Sequence, residues 1–224
     1  MRVRFLGHAA FELTDGTTTV LIDPFITGNP TCPVKAEELN PQYILLTHMH
    51  DDHVGDTVAI ARRTGATVIS TFEVASHLSR QGVKTHGMAL GGSYRFDFGL
   101  VRCTLAFHGS GVPGGSACGF VVHMGGKRIY HAGDTALFSD MKLLNGVIEE
   151  PGIDLALLPV GDNFTMGPRE AAIATEWIGP KAVIPMHYGT FPVLIDDPTP
   201  FVEAVKAAGK TEVIVLKPGE SYTF

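Results

Sequence analysis

Residues 43–53 read YILLTHMHDDH, an apolar run that passes without a break into three histidines and two aspartates. Tyr43–Leu46 predicts a short buried strand. In an extended chain, residues two apart share a face, so His48 and His50 can offer both imidazoles to one cation. The turn into a following helix would carry Asp52 and His53 to a neighbouring point, so one short segment offers ligands to two adjacent metal ions. HxHxDH is a specific string, and it constrains the chain strongly. The other ligands must come from segments that converge on the C-terminal end of this strand, where α/β folds place their sites.

Three further segments have the form of an apolar strand ending in a ligand type. VRCTLAFH ends at His108, RIYHAGDT carries Asp134 after Gly133, and AVIPMHYGT carries His187. With the His48–His53 segment they complete a set of nitrogen and oxygen donors for a dinuclear site. Asp134 is the candidate bridge, because the two oxygens of one carboxylate can each bind one of two cations about 3.5 Å apart. His8, flanked by small residues at a strand turn, is a candidate to approach the site and donate to a substrate oxygen. His131 precedes the Ala-Gly-Asp turn as a candidate supporting residue. Asp23, ending its strand before Pro24, either caps that turn or orients a ligand histidine. Asn163 and Thr165, in the loop GDNFTMG, either bind substrate or cap the helix that follows. Tyr188 and Thr190 are candidates by their closeness to His187. His77, His86 and His123 are expected to be structural or surface residues, which accounts for all ten histidines.

Around these motifs the pattern alternates between meanders and α/β stretches. Short strands over Arg2–Leu6, Phe11–Leu13 and Thr17–Ile22 precede a proline-rich surface loop at 24–41. Helices are expected over Val54–Arg63 and Phe72–Ser79, with strands at Thr67–Ser70 and Lys84–His86. A second meander over residues 93–131 leads to a second α/β stretch. That stretch has helices over Ser139–Glu149, Pro168–Ile178 and Pro200–Ala208, and strands over Leu155–Val160, Ala182–Pro185 and Glu212–Leu216. Two sheets face to face with helices outside would satisfy this order. No Pro/Ser/Gly-rich linker divides the chain, so residues 1–224 are expected to form one domain.

Composition excludes several functions. With 45% hydrophobic and 18% charged residues the chain is not disordered. Lys+Arg of 17 against Asp+Glu of 23, net −6, provide no basic face for a nucleic-acid backbone. No apolar run approaches the roughly 18 residues of a membrane span, and the N-terminus lacks a signal-peptide core, so a cytoplasmic location without membrane or nucleic-acid partners is expected. Cys32, Cys103 and Cys118 form neither a disulfide framework nor a thiolate zinc site. The apolar stretch Phe191-Pro192-Val193-Leu194 suits either homo-oligomer contacts or ordinary loop packing.

These residues together resemble the metallo-β-lactamase superfamily. Asp23, the His48–His53 motif, His108, Asp134 and His187 fall in the order and approximate spacing of its five motifs. LGHAAFEL, LIDPFITGNP, LTHMHDDHVGDT, HAGDTALFSDMK, LPVGDNFTMGP and IPMHYGTFP resemble a subfamily of small prokaryotic metal-dependent hydrolases related to L-ascorbate-6-phosphate lactonases. The resemblance spans essentially the whole chain and implies an αββα sandwich. It also implies that His48, His50 and His108 hold a first metal and Asp52, His53 and His187 a second, with Asp134 bridging. The loop Gly109–Ser116 is shorter than in many relatives, which implies a different substrate choice if that loop covers the pocket.

The chemistry expected of such a site is hydrolysis, with His8, Asp52 and Asp134 as catalytic candidates. Two divalent cations sharing a hydroxide bring its pKa towards neutrality and polarise a carbonyl or phosphoryl group, so no serine or cysteine nucleophile is required. Zinc suits the all-His/Asp donor set, and manganese, nickel or iron also suit it. An ester, a lactone or a phosphodiester of a small molecule would all be attacked by the same hydroxide. A metal-holding or regulatory protein with vestigial catalysis is the alternative. Only 79 residues separate His108 from His187, too few for an inserted nuclease domain. The 37 residues after His187 are too few for a glyoxalase-type helical extension. His50 stands where flavo-diiron proteins resemble HxExD, which disfavours redox chemistry.

Overall fold

The computed structural model describes residues 1–224. Five strands and two helical segments alternate through the first part: β1 (Arg2–Gly7), β2 (Ala10–Thr14), β3 (Thr19–Ile22), β4 (Tyr43–Leu45), α1 (Asp51–Val54), α2 (Thr57–Thr64) and β5 (Thr67–Thr71). Helix α3 (Phe72–Ser79) and strand β6 (Thr85–Met88) follow, then the meander β7 (Ser93–Phe96), β8 (Gly99–Leu105), β9 (Cys118–Met124) and β10 (Lys127–His131). The chain ends with β11 (Leu155–Pro159), α4 (Pro168–Ile178), β12 (Ala182–Met186), α5 (Thr199–Ala208), β13 (Glu212–Val213) and β14 (Ser221–Thr223). Two seven-stranded sheets result, ordered β14-β1-β2-β3-β4-β5-β6 and β13-β12-β11-β10-β9-β8-β7.

Alternating burial explains the layers. Along β11, Leu155 and Leu157 face the core between the sheets, while Ala156 and Leu158 face the helices outside. Both faces are covered, so the strand is apolar throughout, as buried parallel strands must be. The inter-sheet core draws on both sheets, with Phe5, Phe11 and Ile22 from the first and Phe120, Val122 and Leu157 from the second. One outer cluster packs α2 and α3 on the first sheet through Ile60, Val74 and Leu78. The other packs α4 and α5 on the second through Ala171, Ile178, Phe201 and Val205. The order helix, sheet, sheet, helix is the αββα sandwich expected from the sequence.

Strand direction then gathers the chemistry. β3, β4, β5 and β6 run parallel, and β1 shares their direction because β2 is antiparallel to both of its neighbours. In the second sheet β10 to β13 are parallel, and β8 points the same way through the antiparallel β9. The segments that leave β1, β3, β4, β8, β10, β11 and β12 therefore carry His8, Asp23, the His48–His53 motif, His108, Asp134, loop 161–167 and His187 respectively.

Four expectations need correction. The helix placed at Val54–Arg63 is two helices, because Gly55 (φ +36°) crosses residues 24–25 so closely that a Cβ would lie 2.5 Å from Phe25 Cα. Helix α1 thus begins at Asp51, and Asp52 and His53 are helical. The helix placed at Ser139–Glu149 is a 3₁₀ turn over Ser139–Leu144 only. Gly146 (φ +73°) breaks it, and Glu149 turns inward to accept from Arg102 Nε (2.6 Å) and His123 Nε2 (2.5 Å). The strand placed at Glu212–Leu216 stops at Val213, beyond which Leu216 enters the inter-sheet core. The chain is crossing there to β14, a strand too short to be legible in the sequence, which pairs with β1. Within the 24–41 loop, Phe25, Ile26, Ala36 and Leu39 are buried, so this segment is more than a surface loop.

Phe120 is fully buried between the sheets, whereas Phe72 is 64% exposed. Phe120→Ala is expected to destabilise the protein by about 3–5 kcal/mol, and Phe72→Ala to stay within about 0.5 kcal/mol, both measured by urea unfolding of the metal-free protein.

Candidate metal centre

The extended segment after β4 presents His48, its neighbour His50 caps the start of α1, and the first turn of α1 presents Asp52 and His53. Three overlapping groups of ligand atoms form, each within 4.8 Å of one another: His48, His50 and His108; His8, Asp52, His53 and His187; and His48, His53 and Asp134. His50 Nδ1 and His108 Nε2 are 3.2 Å apart. Asp134, a member of the third group, reaches the other two, with Oδ1 3.2 Å from His53 Nε2 and Oδ2 3.0 Å from His187 Nε2 and 3.6 Å from His108 Nε2. Spacings of roughly 3–3.5 Å are those of donors sharing a cation at about 2.1 Å.

The hydrogen bonds around this cluster assign its tautomers. Asp23 accepts from Thr47 N (2.8 Å), Thr47 Oγ1 (2.6 Å) and His53 Nδ1 (2.7 Å). Since the single Thr47 hydroxyl proton goes to Asp23, Thr47 Oγ1 accepts from His48 Nδ1 at 2.9 Å. Both imidazoles thereby turn Nε2 inward. His48 Nε2, His53 Nε2, His187 Nε2 and Asp134 Oδ1 are buried without a hydrogen bond. Unmet buried polar atoms are otherwise costly, so these inward-facing donors fit the binding of metal cations. Asp23 is therefore an orienting residue, the arrangement found where a carboxylate fixes a ligating histidine.

Charge supports the same assignment. Burial works against a proton on His53, yet the Asp134 and Asp23 carboxylates outweigh it and raise its pKa well above the ordinary value. Burial likewise opposes ionisation of Asp134, but His53 and His187 hold its pKa well below the carboxylate range. Burial and the charge on His53 depress His48.

His8 is 1% exposed. Its Nε2 lies 3.1 Å from Asp52 Oδ2 and its Nδ1 3.0 Å from Thr190 Oγ1. Both ring nitrogens are engaged, so in this structure His8 braces Asp52. Burial lowers its pKa to about 4 despite the opposing bond to Asp52. His8 O also accepts from His187 N at 2.8 Å, joining the two sheets at the site. His8, Asp23 and His187 all have positive φ (+58°, +44°, +61°), a region that costs a non-glycine residue of order 1–3 kcal/mol and marks functional constraint. Gly161 makes room for this turn, since a Cβ there would lie 2.0 Å from His187 O.

Other candidates sit further out. His131 is fully buried, donates to Ala9 O (2.9 Å) and accepts from Gly133 N (3.1 Å), so it shapes the turn that presents Asp134. Thr190 joins the site through His8. Tyr188 packs with the outer helical layer. Asn163 is exposed, and Thr165 bonds within its own loop to Met166 O. The sequence did not single out Thr47, Thr135 or Phe25, and marked Phe191 only as part of an apolar stretch suited to homo-oligomer contacts or loop packing. Thr135 stitches three site loops together, accepting from Phe107 N and Met166 N at 3.0 Å each. Phe25 and Phe191 set ring edges against His8 at 5.9 and 5.4 Å. Of these, only Thr47 carried a signal pointing to the site, its place between the strand and the ligands.

A divalent cation at His53 Nε2 displaces the proton held there, so metal uptake at pH 7 is expected to release acid, and affinity to fall as pH is lowered. A pH-stat titration of the metal-free protein measures this. Asp23→Asn keeps the left-handed backbone but places a donor against His53 Nδ1, and is expected to weaken metal binding about 10–100-fold by calorimetry.

Residues 18–188 match the family model described as the beta-lactamase superfamily domain. The chain is 72% identical over 223 residues to a UPF0173 metal-dependent hydrolase of Symbiobacterium thermophilum, covering 100% of both chains. It is 52% identical to one of Heliobacterium modesticaldum, over 100% of this chain and 97% of that one. Among solved structures it is similar to Igni18, a metallo hydrolase from Ignicoccus hospitalis, with a TM-score of 0.91 and 35% identity over 100% of this chain and 98% of the other. With the fold and the inward-facing donors, these likenesses carry one conclusion: the chain belongs to the beta-lactamase superfamily and is a metal-dependent hydrolase.

Proposed function

We propose that the protein is a dinuclear hydrolase acting on an ester, a lactone or a phosphodiester of a small molecule. The observation that carries this reading is the reach of Asp134, which lies 3.6 Å from His108 of one proposed site and 3.2 and 3.0 Å from His53 and His187 of the other. In this reading His48, His50 and His108 hold one cation, Asp52, His53 and His187 hold the second, and Asp134 lies between. Zinc suits the donors best, and manganese, nickel or iron are the competing ions. Bound divalent cations would supply a nucleophilic water at neutral pH and polarise the scissile group.

The chain's own residues do the rest. Asp52 has a side chain 29% exposed and is held ionised: burial opposes this, but His8 and His53 outweigh it. Asp52 is therefore a carboxylate available to ligate the second cation and to accept a hydrogen bond at the edge of the site. His8 and Thr190 fix its orientation. Asp23, through Thr47 and His53, aims two imidazoles before any cation arrives, so little reorganisation accompanies the reaction.

Asp134→Asn is expected to lower occupancy at both sites, read by elemental analysis after dialysis, and to reduce hydrolysis more than about 100-fold. Loss of a single metal would remove the bridging role. His50→Ala is the control, expected to empty one site only. Protein that holds two metals yet turns over neither bis(p-nitrophenyl) phosphate, a p-nitrophenyl ester nor a simple lactone would overturn the enzymatic reading.

A further inference from the structure

The segments that surround the donor cluster have an unusual charge composition. Residues 7–10, 22–34, 46–56, 106–117, 131–138, 160–167 and 186–198 contain no lysine or arginine, although the chain has 17. Lys35, the first cation beyond these segments in the long loop, follows Pro33, which sits against Gly219 beside the edge strand β14. Lys142 lies over the Trp177 ring in the outer helical layer. The exposed charged residues of these segments are all acidic: Asp51 in the first turn of α1, Asp162 next to Gly161, and Asp196 and Asp197. A site built for a phosphate or carboxylate group places arginine, lysine or a set of backbone donors at that group. Here the ligand carboxylates Asp52 and Asp134, with Asp23 behind them, already offset much of the charge of two cations.

Beside His187 the surface is divided, with an apolar wall of Val193, Leu194 and Ile195 facing the polar Asp162 and Asn163. A shallow cavity of 280 Å³ is lined by Gly161, Asp162, Asn163, Val193, Leu194 and Ile195. Its Gly161 packs against the backbone carbonyl of His187, and Ile195 N donates to Gly161 O at 3.1 Å. Val193 is 53% exposed and Phe164, on the same loop as Asn163, is 57% exposed. On the other side of the site, Phe25 and Phe191 stack at 6.3 Å beside His8. Exposed apolar side chains gathered beside polar reactive groups are the usual mark of a binding surface.

We infer that the substrate is an uncharged ester or lactone whose apolar acyl part lies in the cavity between loops 161–164 and 191–195, and that phosphodiesters and acyl groups bearing an anionic tail are poor substrates. This inference rests on the hydrolytic reading above and narrows it. Asp162 adds repulsion towards an anionic tail, while Asn163 supplies a neutral polar group at the cavity edge. Apolar burial then provides the binding energy, at about a fourfold gain in affinity for each methylene buried.

The test uses the metal-loaded protein and p-nitrophenyl esters, which share one leaving group. From acetate to butyrate to hexanoate, kcat/KM is expected to rise, by up to about fourfold per methylene. The mono-p-nitrophenyl ester of glutaric acid, which ends in a carboxylate, is expected to fall at least about 30-fold below the pentanoate ester, the scale of an unpaired charge held in an apolar site. Val193→Lys places a cation at the cavity wall and is expected to shift the ratio of the glutarate to the pentanoate ester at least about tenfold towards the anion. A flat or falling chain-length series, or equal turnover of the two five-carbon esters, would overturn the inference, including through a cation that reached the cavity from elsewhere. Turnover of bis(p-nitrophenyl) phosphate without turnover of any ester would overturn the substrate class and leave the hydrolase reading standing. Turnover of none of these compounds would remove the hydrolase reading itself.

Discussion

The contact on which the site depends is the buried carboxylate of Asp134 among the imidazoles of His53, His187 and His108. Without a partner charge, burying Asp134 would cost several kcal/mol. The same holds for the imidazoles, which disfavour one another's protonation. Each group is tolerable because the others are present, and in the metal-free state the Asp134 and Asp23 carboxylates favour a proton on His53. The cluster is therefore a set of donors suited to binding metal, with that proton on a donor atom that a cation would take.

Holding the cluster requires both sheets. Asp23, His48 and His53 come from the first sheet, His108, Asp134 and His187 from the second, and the inter-sheet core of Phe11, Phe120 and Leu157 keeps them in register. The hydrogen bond from His187 N to His8 O joins the two halves where their strands end. Three residues at this junction adopt left-handed backbone, and packing pays for that strain. The fold thus stores the precision of the site in its core, while the loops around it remain free to set what binds.

Much of this was legible in the residues. HxHxDH after an apolar strand, with His108, Asp134 and His187 each following another, placed the ligand candidates because strand ends and ligand types are local features. The alternation of meander and α/β segments likewise pointed to two sheets with helices outside. Other features resisted. The break at Gly55 depends on the backbone of Phe25, some thirty residues away. The end of the 3₁₀ turn depends partly on Glu149 reaching Arg102 and His123 across the sheet. Strand β14 exists because β1 offers it an edge.

The residues around the ligands divide in the same way. His8 reads from the sequence as a donor facing substrate, and only the folded chain shows both its nitrogens occupied, by Asp52 and Thr190. Tyr188 and Thr190 are indistinguishable by closeness to His187, yet one turns to the outer layer and the other to the site. By itself the sequence determined the chemistry available, since the order and types of donors are covalent facts that allow few uses. Tertiary structure decided which atoms face inward, which carboxylate reaches both groups and which surface lies beside them. Those are properties of segments far apart in the chain, brought together only when the two sheets bury their shared apolar faces.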